Sequence, residues 1–217
     1  MKKHLTIRIL LISSGFVFAA FIAMQVFDIN PLAKAKTENH KLERLYEDIG
    51  IIRPNGITEP LAFRLEDIHG RQVSISNFRG KIVFLNFWTT WCPTCLVEMP
   101  SMEKLHQKLK DKNFAMVTVS IQESAPQVKK FFIKYKLTFT ALLDTTGGVA
   151  FGLGIASIPT TFILDKNGSP IGVVMGPREW DSNKAVALFE HLINKYEATT
   201  TQISMRTPQL SGENEQK

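Results

Sequence analysis

Cys92 and Cys95 are the only cysteines in this chain of 217 residues, and both stand in one motif, Trp91-Cys92-Pro93-Thr94-Cys95. Their type and spacing point to thiol–disulfide exchange. Residues three apart in the first turn of a helix share one face, so the two sulfurs can close a small ring. A cysteine at a helix start lies beside unpaired backbone N–H groups and the positive end of the helix dipole, which favour its thiolate. The thiolate is the attacking species, and such positions lower a cysteine pKa to roughly 3.5–7.5. Pro93 suits the first helical position, where its missing N–H costs nothing. Cys95, one turn further in, suits the resolving role: Cys92 attacks a substrate disulfide, then Cys95 cleaves the mixed disulfide.

Other chemistries fit the pair less well. Tetrahedral zinc needs two more ligands than a C-x-x-C supplies. No second C-x-x-C exists, and His4, His40, His69, His106 and His191 are scattered without a paired spacing. A purely structural disulfide closing so short a loop constrains the unfolded chain little. The formal charge of +6 is spread along the chain, with no basic run interleaved with aromatics. It reads as solvated surface, and no nucleic-acid partner is expected.

The elements that must position the pair are legible around it. Residues 81–88, KIVFLNFW, are continuously apolar with one polar break at Asn86, as suits a strand buried on both faces. Leu96, Met99, Met102, Leu105 and Leu109 then form one helical stripe. Its methionines read as core filler, and Pro100 is expected to kink the helix. Residues 60–80 alternate around an Asp-x-His-Gly turn and read as a hairpin. Phe114–Ile121 is a second apolar strand. Pro126 opens a helix bearing Val128, Phe131, Phe132 and Tyr135, and residues 139–143 form a short strand. Thr160–Leu164 and residues 171–175 flank a DKNG turn as an antiparallel hairpin. Asp181 is expected to cap a last helix with Val186, Phe189, Leu192 and Ile193 inward. The sum is an α/β fold with a mixed central sheet flanked by helices. The cysteines lie where a strand's C-terminal end feeds a helix, and sites in open sheets collect there.

The N-terminus sets the compartment. Lys2, Lys3 and Arg8 precede Ile9 to Phe27, 19 residues without a charge. That run is close to the roughly 20 residues of a bilayer-spanning helix. The flanking charges place its start in the cytoplasm. Residues 1–27 therefore read as a signal-anchor, with everything after them extracytoplasmic. The alternative is a cleaved signal peptide using Ala33-Lys34-Ala35. Export also accounts for a chain with no other thiol to mispair. Residues 28–57 read as a linker containing a short amphipathic helix over 39–50. Residues 58–196 form the main domain. Residues 197–217, rich in Thr, Ser, Gln and Glu, read as a disordered polar tail.

The motifs NFWTTWCPTC (86–95), GKIVFLNFW (80–88), EMP (98–100) and IPTTFILDKNG (158–168) together resemble the thioredoxin superfamily, specifically its TlpA/ResA-like membrane-anchored branch. The resemblance implies a thioredoxin-like fold carrying an N-terminal hairpin extension, and a protein thiol–disulfide oxidoreductase needing no cofactor. It makes Cys92 the exposed attacking cysteine and Cys95 the resolving one. It makes Pro159 a cis-proline beside them, against the plainer reading of a proline at a strand start. The backbone of Ile158 would then pair with an extended substrate, with Trp91, Pro93 and Thr94 completing the substrate surface. Thioredoxins proper carry an aspartate where Asn86 stands, and Asn86 cannot relay a proton. The exported branch instead has a glutamate at the place of Glu98. Glu98 is either a general base for Cys95 or a solvated helix-surface residue. Peroxiredoxins need P-x-x-x-T-x-x-C. Thr89 and Cys92 supply the second half, but Leu85 holds the proline position, which argues against peroxidase chemistry.

The expected activity is a disulfide reductase acting on exported proteins with cysteine pairs, such as apocytochrome c haem sites or copper-site proteins. A membrane thiol carrier would donate the electrons, since no nicotinamide or flavin motif is present. Two alternatives stay open: a disulfide oxidase or isomerase, and a copper chaperone using both cysteines with His191.

Overall fold

A computed structural model of the protein describes residues 31–54 and 59–206, with 31, 32, 34 and 197–206 described by backbone alone. The expected anchor, residues 1–27, lies outside the described residues. Among those described, no helix is long and apolar enough to cross a membrane. The described residues fall into two compact units, divided between Arg44 and Leu45. Of the first, residues 31–44 form the leading part of helix α1 (Pro31–Ile49), which is longer than the short helix expected over 39–50.

The second unit holds a seven-stranded sheet in the order β2-β1-β5-β4-β3-β6-β7. Its centre is β3 (Ile82–Trp88), every residue of which is buried, as its unbroken apolar run requires. It pairs in parallel with β4 (Phe114–Ile121), which pairs in parallel with β5 (Thr140–Asp144). On its other side β3 pairs antiparallel with β6 (Thr160–Leu164), and β6 with the edge strand β7 (Pro170–Met175). The sheet is therefore mixed, as expected. The hairpin β1 (Arg64–Asp67) and β2 (Gln72–Ser74) forms around the Asp67–Gly70 turn. Asp67 Oδ1 accepts from the His69 and Arg71 amides at 2.8 and 3.0 Å. Sequence did not show where this hairpin goes: β1 pairs antiparallel with β5 and extends the sheet by two strands.

Side chains of β3 alternate between two cores. Val83, Leu85 and Phe87 join Val117, Val119, Leu142, Phe162 and Leu164 on one face. On the other, Phe84 meets Trp180 edge-on at 4.7 Å and Trp88 packs on Phe131 at 4.8 Å. The helices covering that second face are α2 (Pro93–Leu109), α3 (Ala125–Tyr135) and α5 (Asn183–Arg206). Met99 and Met102 are buried core, as their stripe predicts, and Leu96 lies at its half-buried margin. The helix runs through Pro100, which faces solvent. A one-turn helix, α4 (Gly148–Gly152), lies between β5 and β6 and sets Ala150 into the first core.

Two expectations are corrected. Ser182, not Asp181, caps α5: its Oγ accepts from the Ala185 amide at 3.3 Å, while Asp181 pairs with Lys104 at 2.8 Å. Asp181 lies one residue too early to reach the third helical amide, and a lysine stands within its reach instead. The tail expected to be disordered from residue 197 continues as helix to Arg206. Extending a formed helix gains a hydrogen bond for each residue fixed, so α5 propagates past Ile193, the last of the apolar positions read as inward. Residues 207–217 lie outside the described residues.

Candidate functional site

The site is built where β3 ends. Thr89 and Thr90 leave the strand, and Cys92 becomes the cap of α2, with φ −81° and ψ 108°. Its sulfur accepts from the Cys95 amide at 3.2 Å, one of the N–H groups a helix start leaves unpaired. Pro93 holds the first helical turn. Cys92 and Cys95 are joined in a disulfide, with Cα atoms 5.3 Å apart. Thr94 Oγ1 lies 3.3 Å from Cys92 Sγ. In this oxidised state the expected contrast in exposure is small: Cys92 is 4% exposed and Cys95 is 0%. Both are sheltered by the turn they close, so in this disulfide state Cys92 is not the exposed cysteine that the resemblance implies.

The surface around them is uneven. Trp91 projects into solvent, 70% exposed, and Pro93 and Thr94 are also exposed. The Ile158–Pro159 bond is cis, as the motif predicts. Pro159 O accepts from the Gly176 amide at 2.8 Å, while Ile158 lies before the start of β6, outside its ladder with β7. Trp91 and Ile158 line one groove of about 550 Å³, whereas Pro93 and Thr94 do not border it.

Glu98 is not a solvated helix residue. It is 0% exposed. Its Oε1 accepts from Asn86 Nδ2 at 2.9 Å, and its Oε2 accepts from Trp180 Nε1 at 2.9 Å and from the Arg178 amide at 3.3 Å. Asn86 also donates to Thr161 Oγ1 at 2.9 Å, which ties β3, β6 and α2 together beneath the motif. Burial pushes the Glu98 carboxyl up to about 7, against the lowering effect of its three donors and of the Arg178 charge. A carboxyl near 7 can both take and give a proton at neutral pH. Its i+3 position puts it on the Cys95 face of the helix.

Sequence reasoning missed a second buried carboxylate. Glu123 is 5% exposed. Its Oε2 accepts from the Thr90 amide at 2.9 Å and Ser120 Oγ at 2.5 Å. Its Oε1 accepts from Thr90 Oγ1 at 2.5 Å and Gln127 Nε2 at 2.7 Å. Glu123 thus holds the loop residue two before Cys92. The one signal was a lone acid between an apolar strand and a proline-opened helix, and nothing in the sequence linked it to Thr90. Trp180 and Arg178 were missed for the same reason, being about 80 residues from Glu98.

Among the described residues no group of three or more His, Cys, Asp or Glu is placed to hold a metal ion. His191 is buried within α5.

Comparisons with known proteins agree with this geometry. Residues 58–169 match the model of the AhpC/TSA family. The chain is 37% identical over 114 residues to the thiol-disulfide oxidoreductase ResA of Bacillus thuringiensis subsp. konkukian, covering 52% of this chain and 66% of that protein. It therefore spans slightly under two thirds of that relative's length. It is 38% identical over 121 residues to ResA of Geobacillus thermodenitrificans, covering 56% of this chain and 69% of the relative. The crystal structure of StoA from Bacillus subtilis superposes with a TM-score of 0.52 at 30% identity, covering 60% of this chain and 98% of that one. The fold is thioredoxin-like.

Proposed function

The chain belongs to the AhpC/TSA family, in its thioredoxin-like form, and on that premise we propose that it is an enzyme, a thiol–disulfide oxidoreductase working through Cys92 and Cys95. The observation that carries the reading is the Cys92–Cys95 disulfide at the start of α2, with Cys92 Sγ accepting the Cys95 amide. That amide and the helix dipole stabilise a thiolate at Cys92 and make it a good leaving group. As a reductase, the Cys92 thiolate attacks one sulfur of a client disulfide. A Cys92–client disulfide forms, and the other client sulfur leaves as a thiolate and takes a proton. Cys95 then loses its proton and attacks Cys92 Sγ, so the mixed disulfide breaks and the second client thiolate departs. Two electrons pass to the client, and the protein ends in the disulfide state seen here. Glu98 acts as general base for Cys95: it is buried, carries a carboxyl near 7 and shares the Cys95 helix face.

The finer reading is a membrane-anchored, extracytoplasmic reductase. Residues 9–27 serve as the anchor and place the domain outside the cytoplasmic membrane, where a membrane thiol donor re-reduces it. Its clients are exported proteins with cysteine pairs, such as apocytochrome c haem sites or copper-site proteins. Leu85 supports exchange over peroxidase chemistry, since it is fully buried in mid-strand at the place of the peroxidatic proline.

Equilibration with glutathione tests the direction. A potential at or below roughly −200 mV is expected for a reductase, whereas one near −120 mV marks an oxidant and overturns this reading. Cys95→Ala should accumulate mixed disulfides with exported clients, and Cys92→Ala should form none. Recovery of the full-length protein from cells in the soluble fraction would refute the anchor.

A further inference from the structure

Two of the most exposed large apolar side chains of the described residues, Trp91 at 70% and Phe151 at 88%, line the same groove. Ile121, Gln122, Ile155 and Ile158 line it too, and no lining residue is charged. The groove is continuous with the redox site at two points, since Trp91 adjoins Cys92 and Ile158 adjoins the cis Pro159. Phe151 is held outward by a firmly seated turn. Ala150 beneath it is core, and its amide donates to Asp144 Oδ2 at 2.8 Å. The Phe151 amide donates to Gly147 O at 2.9 Å, and the Ile155 amide to Ala150 O at 3.0 Å. At the foot of this turn Gln122 adopts a left-handed φ of 55°. A Cβ on Gly147 would stand 3.2 Å from Gln122 Nε2, so the glycine lets that side chain lie against α4.

An aromatic ring fixed almost fully in water gains nothing for the fold. Rigid aromatics at the edge of an uncharged groove are what a partner's apolar side chain buries against. Their backbone is already ordered, so binding spends little on ordering it. We propose that Trp91 and Phe151 are two aromatic walls of the client groove, and that Phe151 selects client segments carrying a bulky, uncharged apolar residue close to the reactive cysteine. The proposal rests on the exchange reading above. Its occupant is an extended polypeptide, because Ile158 offers backbone groups outside the β6–β7 ladder on the groove's wall.

The test uses protein reduced with dithiothreitol and freed of it. Its dithiol reduces decapeptides with one internal disulfide, giving protein disulfide and peptide dithiol. Leu or Ser is placed in turn at each position flanking the peptide cysteines, and second-order rate constants are compared. The wild type is expected to favour Leu over Ser by about tenfold at one or two positions, the scale of burying one large apolar side chain. That ratio should fall to about twofold or less in Phe151→Ala and be largely kept in Phe151→Leu. It should also be kept in Ile133→Ala, a variant of another exposed apolar residue, on α3 outside the groove. A wild type without preference, or a ratio that survives Phe151→Ala, overturns the selection. Sedimentation showing a dimer lost in Phe151→Ala assigns the face to a second copy and overturns it too. Failure to reduce any peptide or a small aromatic disulfide overturns the exchange reading itself.

Discussion

Two buried carboxylates stand on either side of the redox motif, and their surroundings give them different work. Glu123 uses both oxygens to accept from Thr90, Ser120 and Gln127. It is a positioning residue for the loop that delivers Cys92. Glutamine in its place turns one acceptor into a donor facing hydroxyl and amide hydrogens. Loss of a hydrogen bond to a charged group costs about 1.5–3 kcal/mol, so Glu123→Gln should lower unfolding stability by about 2 kcal/mol. Urea unfolding measures this, and an unchanged midpoint would remove Glu123 from the positioning role. Glu98 has donors on both oxygens too, yet burial dominates and lifts its carboxyl to about 7. Below that value it is protonated and cannot accept the Cys95 proton. The rate at which reduced protein resolves a mixed disulfide should therefore rise with an inflection near pH 7, and Glu98→Gln should abolish that inflection. Its persistence in the variant would place the titration on another group.

At the scale of elements, legibility followed how local the signal was. The strand 81–88 and the stripe of α2 each declare themselves through their own apolar pattern, and the structure places them as read. The pairing of β1 with β5 was not legible, because the hairpin and its partner are over 70 residues apart and neither carries a mark of the other. The turn α4 was invisible because five residues with glycines at both ends have no period to detect. Cys92, Cys95 and Pro159 were legible by type and motif, but Glu123, Trp180 and Phe151 acquire meaning only once distant strands bring them to the site. The junction of residues 50–53 with β7 is another such non-local feature. Ile52 and Val173 exchange two backbone hydrogen bonds of 2.9 and 2.8 Å, which covers part of an edge strand. The approach needs Gly172, where a Cβ would stand 2.6 Å from Ile51 Cγ2. Gly172→Ala forces that segment away, and overpacking of this kind costs about 1–3 kcal/mol. Faster amide exchange at Ile52 and Val173, with a lowered midpoint, is the expected outcome. Unchanged protection there would show that the contact yields without cost.

For the molecule as a whole, the buried Glu98 makes stability depend on pH in an unusual direction. Its carboxyl titrates near 4.5 when unfolded and at about 7 in the fold. Between those values the folded state holds the proton and the unfolded state does not. Stability therefore falls as pH rises through that window and levels off above pH 7. At one pKa unit per 1.36 kcal/mol, the cost reaches about 3 kcal/mol as an upper bound. Other groups shape the same curve. Asp67 and Glu103 are held below the usual carboxylate range by their partners, so their contribution grows with pH at or below about 4.5, outside the window. Burial lowers the His106 pKa below its usual 6.5, so the fold resists its protonation and stability there rises with pH, opposing Glu98. The raw profile thus mixes two slopes, and the informative quantity is the difference between wild type and Glu98→Gln. Subtracting one from the other removes His106, which both proteins share. The difference should be largest in favour of the wild type near pH 5, shrink steadily to about pH 7.5 and then stay flat. Urea unfolding of the oxidised proteins at half-unit pH steps measures it. A flat difference across the window would mean that Glu98 is solvated in the folded protein, which would also remove the ground for its proton-transfer role at Cys95.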